Sequence, residues 1–162
     1  MKDQGDRTTG MFSATFPEEI QPTAAKFLGK DYLFVAIGTV GSAANSVRQT
    51  FLEVTEDMDK EAVLMDMLQP VKDSGERTVI FVQTRRMADF FATKLSGSDF
   101  PATSIHGDRL QRERETALHQ FRTGQYPILV ATNVAARGLD IKDVKHVINL
   151  DLPKETDEYV SI

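Results

Sequence analysis

Three short stretches of this chain place phosphate-binding residue types directly after runs of β-forming apolar residues. TVIFV (78–82) runs into Gln83, Thr84, Arg85 and Arg86. ATSI (102–105) runs into His106, Gly107, Asp108 and Arg109, and ILVA (128–131) runs into Thr132 and Asn133. Hydroxyls, a glycine backbone, arginines and the first turn of a following helix are the groups that hold phosphate oxygens. Ligands of parallel α/β sheets gather just past the carboxyl ends of the strands. If these strands are parallel, all of these groups therefore share one edge. The third stretch continues as NVAARGLD (133–140), which adds Arg137, Gly138 and Asp140 as candidate ligand groups.

Each residue also has an ordinary explanation. Thr84 and Thr132 are β-branched residues of a kind that commonly ends strands. His106 is more often a packing or hydrogen-bonding histidine than a base, and histidines 106, 119 and 146 show no metal-ligand spacing. Asp140 fits a solvent-facing turn. Arg109, Arg112 and Arg114 interleave with Glu113 and Glu115, so part of that cluster is a solvated helix face. Arg114 stands apart because it lies at i+4 from Leu110, inside the apolar stripe Leu110, Ala117, Leu118 and Phe121. A charge there must leave the core or find a partner. It reaches over the ligand edge, snorkels, or pairs with Glu113 or Asp108.

The elements that must position these residues alternate. VRQTFLEV (47–54) reads as a strand, and 57–69 as a helix with Met58, Ala62, Met65 and Leu68 on one side, stopped by Pro70. TVIFV is a buried strand. Met87, Phe90, Phe91 and Leu95 stripe a helix ending near Gly97. ATSI is a short strand, 110–122 a helix ended by Gly124, and ILVA and HVINL (146–150) are further strands. Asp108 is placed to cap the 110–122 helix, with Gln111 at N3. Strands alternating with helices predict an α/β fold, a parallel sheet with helices on both faces.

The first 45 residues read differently. MFSATF (11–16) has the character of a strand end, and Pro17 to Phe27 of a helix with Glu18 and Glu19 in its first turn. IGTVGSAANS (37–46) reads as a linker or a long exposed connection. Residues 1–30 thus belong to a different structural unit from residues 48–162.

Composition narrows the class. The 162 residues are 41% hydrophobic, an ordinary globular value, with a net charge of −5. Any nucleic-acid site must be a local patch on an acidic body. There are no cysteines, which excludes disulfides, thiolate metal sites and a cysteine nucleophile. No apolar run approaches the roughly 20 residues of a membrane span, and MKDQGDRTTG lacks the apolar core of a secretory signal. A soluble intracellular protein is the expectation.

SAT (13–15), VIFVQT (79–84), SIHGDRLQRER (104–114), VATNVAARGLD (130–140) and HVINLDLP (146–153), in this order and spacing, closely resemble motifs of the DEAD-box ATP-dependent RNA helicases. MFSATFPEEIQ and YLFVAIGTVGSA look most like the germ-line, Vasa-like branch, with its broadly expressed sister group next. The resemblance implies two RecA-like domains that close on ATP and RNA. Residues 1–30 would be the end of the first, 31–47 an interdomain linker, and 48–162 a second RecA-like domain lacking its last strand and helix. Ser13 and Thr15 match a motif that couples nucleotide state to RNA binding. Thr84, Gly107, Asp108, Gln111, Arg114 and Thr132 match positions that hold the RNA backbone. Asp140 matches a residue that reaches the ATP ribose, and Arg137 and Gly138 match positions near the nucleotide cleft.

The implied partners are single-stranded or short duplex RNA and the first RecA-like domain, with no membrane. The implied location is the cytoplasm, in germ-line ribonucleoprotein granules. The chain has no phosphate loop and no DEAD sequence, so Mg²⁺ would be held by the absent first domain. After Asp157-Glu158-Tyr159-Val160 the family continues with HRIGRTGR, whose arginines take the arginine-finger role, whereas this chain reads Ser161-Ile162. The expectation is a fragment of an RNA helicase that does not hydrolyse ATP by itself. The alternatives are a stand-alone RNA- or partner-binding module and an inactive truncated product.

Overall fold

The apolar runs form the strands of one parallel sheet. The computed structural model describes residues 8–13, 15–29, 31–37, 46–55, 59–136, 139 and 141–160. Strands β1 (Arg77–Val82), β2 (Ala102–Ile105), β3 (Ile128–Thr132) and β4 (Val144–Asn149) stand in the order β2-β3-β1-β4. Each pairing is parallel, with Val82 opposite Thr132, Ile105 opposite Ala131 and Phe81 opposite Asn149. Every residue of β3 is buried, as its uninterrupted apolar run predicts for a strand covered on both faces. β4, on one side of the sheet, is half-buried to exposed.

Side chains alternate across the sheet and build a core on each face. Ile80, Val82 and Val130 pack with Leu64 and Leu68 of α2 (Lys60–Lys72) and Phe91 and Leu95 of α3 (Arg85–Gly97). Val79, Phe81, Leu129 and Ala131 pack with Phe121 of α4 (Gln111–Arg122) and Ala135 of α5 (Asn133–Ala136). Asp59 caps α2 by accepting the Glu61 N–H at 2.9 Å. Gly124 follows α4 at φ 77°, a left-handed conformation that glycine adopts without penalty. The expected α/β sheet with helices on both faces is thus present, and ATSI forms its strand residue for residue.

Several boundaries differ from expectation. Residues 48–55 form no strand, and Phe51 and Leu52 are exposed. Alternation alone makes no strand without a ladder partner, and none lies beside this segment among the described residues. MFSATF forms no strand end where it is described. α2 runs through Pro70 to Lys72. The proline falls in the last turn, where it costs one backbone hydrogen bond and the helix need not stop. α1 (Gln21–Phe27) starts after Glu18 and Glu19, with Pro22 in its first turn, where a missing N–H costs nothing. Met58 and residues 38–45 of the expected linker lie outside the described residues.

The chain divides into two compact units, residues 1–49 with 154–161 and residues 50–153 with 162. The first contains α1 and α6 (Thr156–Val160), stacked rings of Phe16 and Phe34 with centroids 5.6 Å apart, and a Tyr159–Gln49 hydrogen bond of 2.5 Å. The second contains the sheet. Among the described residues no helix is long and apolar enough to cross a membrane.

Candidate nucleic-acid interface

Parallel pairing puts the carboxyl ends of β2, β3 and β1 side by side, in that order. Neighbouring strands are about 4.8 Å apart, so the outer two ends are separated by about 10 Å. The residues after each strand therefore line one narrow edge. Thr132 is the last residue of β3 and is buried. Thr84 has extended backbone at the N-cap of α3, and its Oγ1 accepts the Met87 N–H at 3.2 Å. The hydroxyl of Thr84 has a helix-capping task and still carries a proton to donate.

The segment between β2 and α4 is a tight turn closed by the Arg109 N–H donating to the His106 carbonyl at 3.2 Å. The amides of Gly107 and Asp108 have no acceptor among the described residues, so both remain donors at the sheet edge. A Cβ on Gly107 would meet the Arg85 guanidinium at 3.8 Å, an ordinary contact. Crowding within the chain therefore does not require glycine there. Asp108 is not the N-cap of α4. It pairs with Arg85, the helix starts later at Gln111, and the Glu113 carboxylate accepts the Leu110 N–H at 2.9 Å. The turn uses up the residues the sequence pattern assigned to the cap.

Glu113 and Asp108 were the two carboxylates open to Arg114, and both are engaged elsewhere. Arg114 donates a long hydrogen bond from Nη1 to Gln111 Oε1 at 3.4 Å. Its Nε is buried without a hydrogen-bond partner among the described residues. Gln111 also donates to Glu115 at 3.0 Å. Leu110 is exposed rather than part of the apolar stripe, while Ala117 and Phe121 are buried. Arg114 is thus half-buried near the helix N-terminus with its charge unmatched by any described carboxylate.

A polar cluster that the sequence reading did not identify lies beside this edge. Asp89 of α3 accepts from Ser104 Oγ at 2.6 Å and from Arg109 Nη2 at 2.9 Å through Oδ1, and its Oδ2 lies 3.0 Å from His106 Nε2. Arg109 Nη2 also donates to Ser104 Oγ at 2.6 Å. An ionised carboxylate only accepts, so the His106 proton on that side is on Nε2. The signal was available, since Ser104 is a polar residue at a buried position of an apolar strand.

Partial burial pushes the Asp89 carboxyl up, but the hydrogen bonds from Ser104, Arg109 and His106 together outweigh it and hold the group below its usual 3.8. A depressed folded pKa means stability that is present above the unfolded pKa and lost as pH falls through the folded one. The thermal stability advantage of the wild type over Asp89→Asn is therefore expected to be full at neutral pH and to shrink as pH drops below about 4. Melting curves of both proteins across that range check it.

Ser13 and Thr15 belong to the other compact unit. The Ser13 hydroxyl donates to the Thr15 carbonyl at 2.5 Å, and the Thr15 N–H donates back to Ser13 Oγ at 3.3 Å, so the two residues bond to each other locally. Arg137, Gly138 and Asp140 lie outside the described residues. The structure thus assembles Thr84, Gly107, Asp108 and Thr132 on one edge, with Gln111 and Arg114 at the start of the adjoining helix.

Residues 59–162 match the family described as the Helicase conserved C-terminal domain. The chain belongs to that family. As a helicase C-terminal domain protein it is 56% identical over 160 residues to DDX4 of Homo sapiens and 55% identical to the ATP-dependent RNA helicase DDX4 of Mus musculus. Each match covers 99% of this chain, which spans 22% of the relative's length. Among solved structures it resembles S. cerevisiae Dbp5 bound to RNA and ADP BeF3, with TM-score 0.81 and 28% identity over 93% of this chain and 39% of that one. A DEAD box protein from Methanococcus jannaschii gives TM-score 0.67 and 33% identity over 93% of this chain and 39% of that one. The parallel four-stranded sheet with flanking helices is the RecA-like fold of these helicase proteins.

Proposed function

We propose that this chain supplies the RNA-backbone half of an ATP-dependent RNA helicase of the Vasa-like DEAD-box branch. The observation that carries the reading is Arg114, half-buried with no carboxylate partner among the described residues, in the first turns of the helix that follows the turn bearing the unpaired Gly107 and Asp108 amides. An anionic backbone threading past Gly107, Asp108 and Arg114 would match the charge and take up the donors. Thr84, Gln111 and Thr132 would add hydrogen bonds along the same edge. Such contacts carry little base information, so binding is largely independent of sequence.

The rest of the reading rests on the resemblance. Residues 1–30 are the end of the first RecA-like domain, 31–47 the linker and 48–162 the second domain. Ser13 and Thr15 couple nucleotide state to RNA binding across the domains, while Arg137, Gly138 and Asp140 serve the nucleotide. ATP supplies phosphoryl-transfer energy to the whole enzyme, with Mg²⁺ held by the first domain. The whole enzyme acts on short RNA duplexes in the cytoplasm, in germ-line ribonucleoprotein granules.

Two outcomes are expected of the purified 162-residue chain. It binds single-stranded RNA without ATP, and log K falls with log salt at a slope of about −0.7 per phosphate neutralised. It shows no RNA-stimulated ATP turnover. A salt-independent association would remove the backbone reading, and measurable turnover would remove the division of labour between domains.

A further inference from the structure

We propose that Asp89 is a positioning residue for RNA binding, holding the 106–109 turn in the shape that presents the Gly107 and Asp108 amides. The inference rests on the RNA reading of this edge. The turn has one internal backbone hydrogen bond, from the Arg109 N–H to the His106 carbonyl, which is little to fix four residues. Its shape is instead held from α3. Asp89 takes the two ends of the turn at once, His106 through Oδ2 and Arg109 through Oδ1. Ser104, buried in β2, completes a closed triangle with Asp89 and Arg109.

One helical turn earlier on α3, Arg85 takes the middle of the segment through Asp108. Residues four apart on a helix project from the same face, so a single face of α3 grips the turn at three residues. Thr84 caps that same helix. The grip therefore also sets the turn relative to a second candidate contact.

The arrangement leaves an unpaired group. With the Nε2 proton directed to Asp89, the other ring nitrogen of His106, Nδ1, is buried with no hydrogen-bond partner among the described residues. An unpaired buried polar atom is unfavourable. The fold keeps it while preserving the bond to Asp89.

Charge and position make opposite predictions for Asp89, which makes the test decisive. Asp89→Asn removes a negative charge from beside a polyanion site. If Asp89 acted only through its charge, RNA would bind more tightly. If it positions the turn, RNA binds more weakly, by about two- to tenfold, the worth of a hydrogen bond or so. Ser104→Ala changes no charge and is expected to weaken binding in the same direction. The double variant is expected to lose little more than either single one, because both act through one cluster.

The measurement is fluorescence anisotropy of a labelled short oligouridine with the 162-residue chain, at a temperature where thermal melts show every variant folded. Arg114→Ala runs in parallel. Unchanged or tighter binding by Asp89→Asn and Ser104→Ala, with Arg114→Ala weakened, overturns the positioning role alone. Unchanged binding in all three means that RNA does not use this edge, and the inference falls with the reading beneath it. If Asp89→Asn does not fold, Ser104→Ala decides between the same two outcomes.

Discussion

Arg114→Ala is expected to weaken single-stranded RNA binding by about tenfold to a hundredfold. A hydrogen bond to a charged group is worth about 1.5–3 kcal/mol, and every 1.4 kcal/mol is a factor of ten. The loss is expected to be this large because the guanidinium has no ion pair among the described residues: Glu113 is engaged at the Leu110 N–H and Asp108 at Arg85. The salt dependence should change as well, the slope of log K against log salt becoming shallower by about 0.7 for one lost phosphate contact. Arg114→Lys is expected to restore the slope but not the full affinity, because an ammonium keeps the charge and loses the planar fork of donors. A fluorescence titration at three or more salt concentrations separates these effects. An unchanged affinity in Arg114→Ala would show that its lack of a carboxylate partner among the described residues has another explanation.

Phe121→Ala is expected to destabilise the sheet unit by about 3–5 kcal/mol. Phe121 is fully buried and packs among Val79, Ile105 and Leu129 on the α4 face of the sheet. Removing its ring leaves a cavity that two central strands and a helix cannot all close. The melting temperature should fall by roughly 10–20 °C, judged from the size of the unit. The site shares this core, since Arg114 is two helical turns before Phe121 on α4. Phe121→Leu is expected to cost less, because more of the volume is kept. Calorimetry or circular dichroism melts of both variants check the order.

The sequence was most legible where one local pattern sufficed. TVIFV, ATSI and ILVA are apolar runs bounded by polar loops, and they became strands at nearly the expected residues. Their parallel pairing put the predicted groups on one edge. Legibility failed where the outcome depended on a distant partner. Residues 47–54 alternate well, yet no strand lies beside them among the described residues. Asp108 has the ideal type for a helix cap, but Arg85, from another helix, engages it. The Asp89 cluster joins residues 89, 104, 106 and 109, and no spacing rule links a helix position to a neighbouring strand. Arg114 was the intermediate case. Its misfit in the apolar stripe was visible in sequence, but which carboxylate would take it was not.

The two free amides at Gly107 and Asp108 have a genetic consequence. A donor that belongs to the main chain is the same in every residue except proline. Screens that exchange side chains one at a time therefore report on these amides only indirectly, through side chains such as Asp108 that hold the turn in shape. The contact becomes directly visible only to edits of the backbone itself: proline at 108, or an ester in place of the amide. The RNA contact proposed for these amides is thus expected to be the one that ordinary mutagenesis reports least.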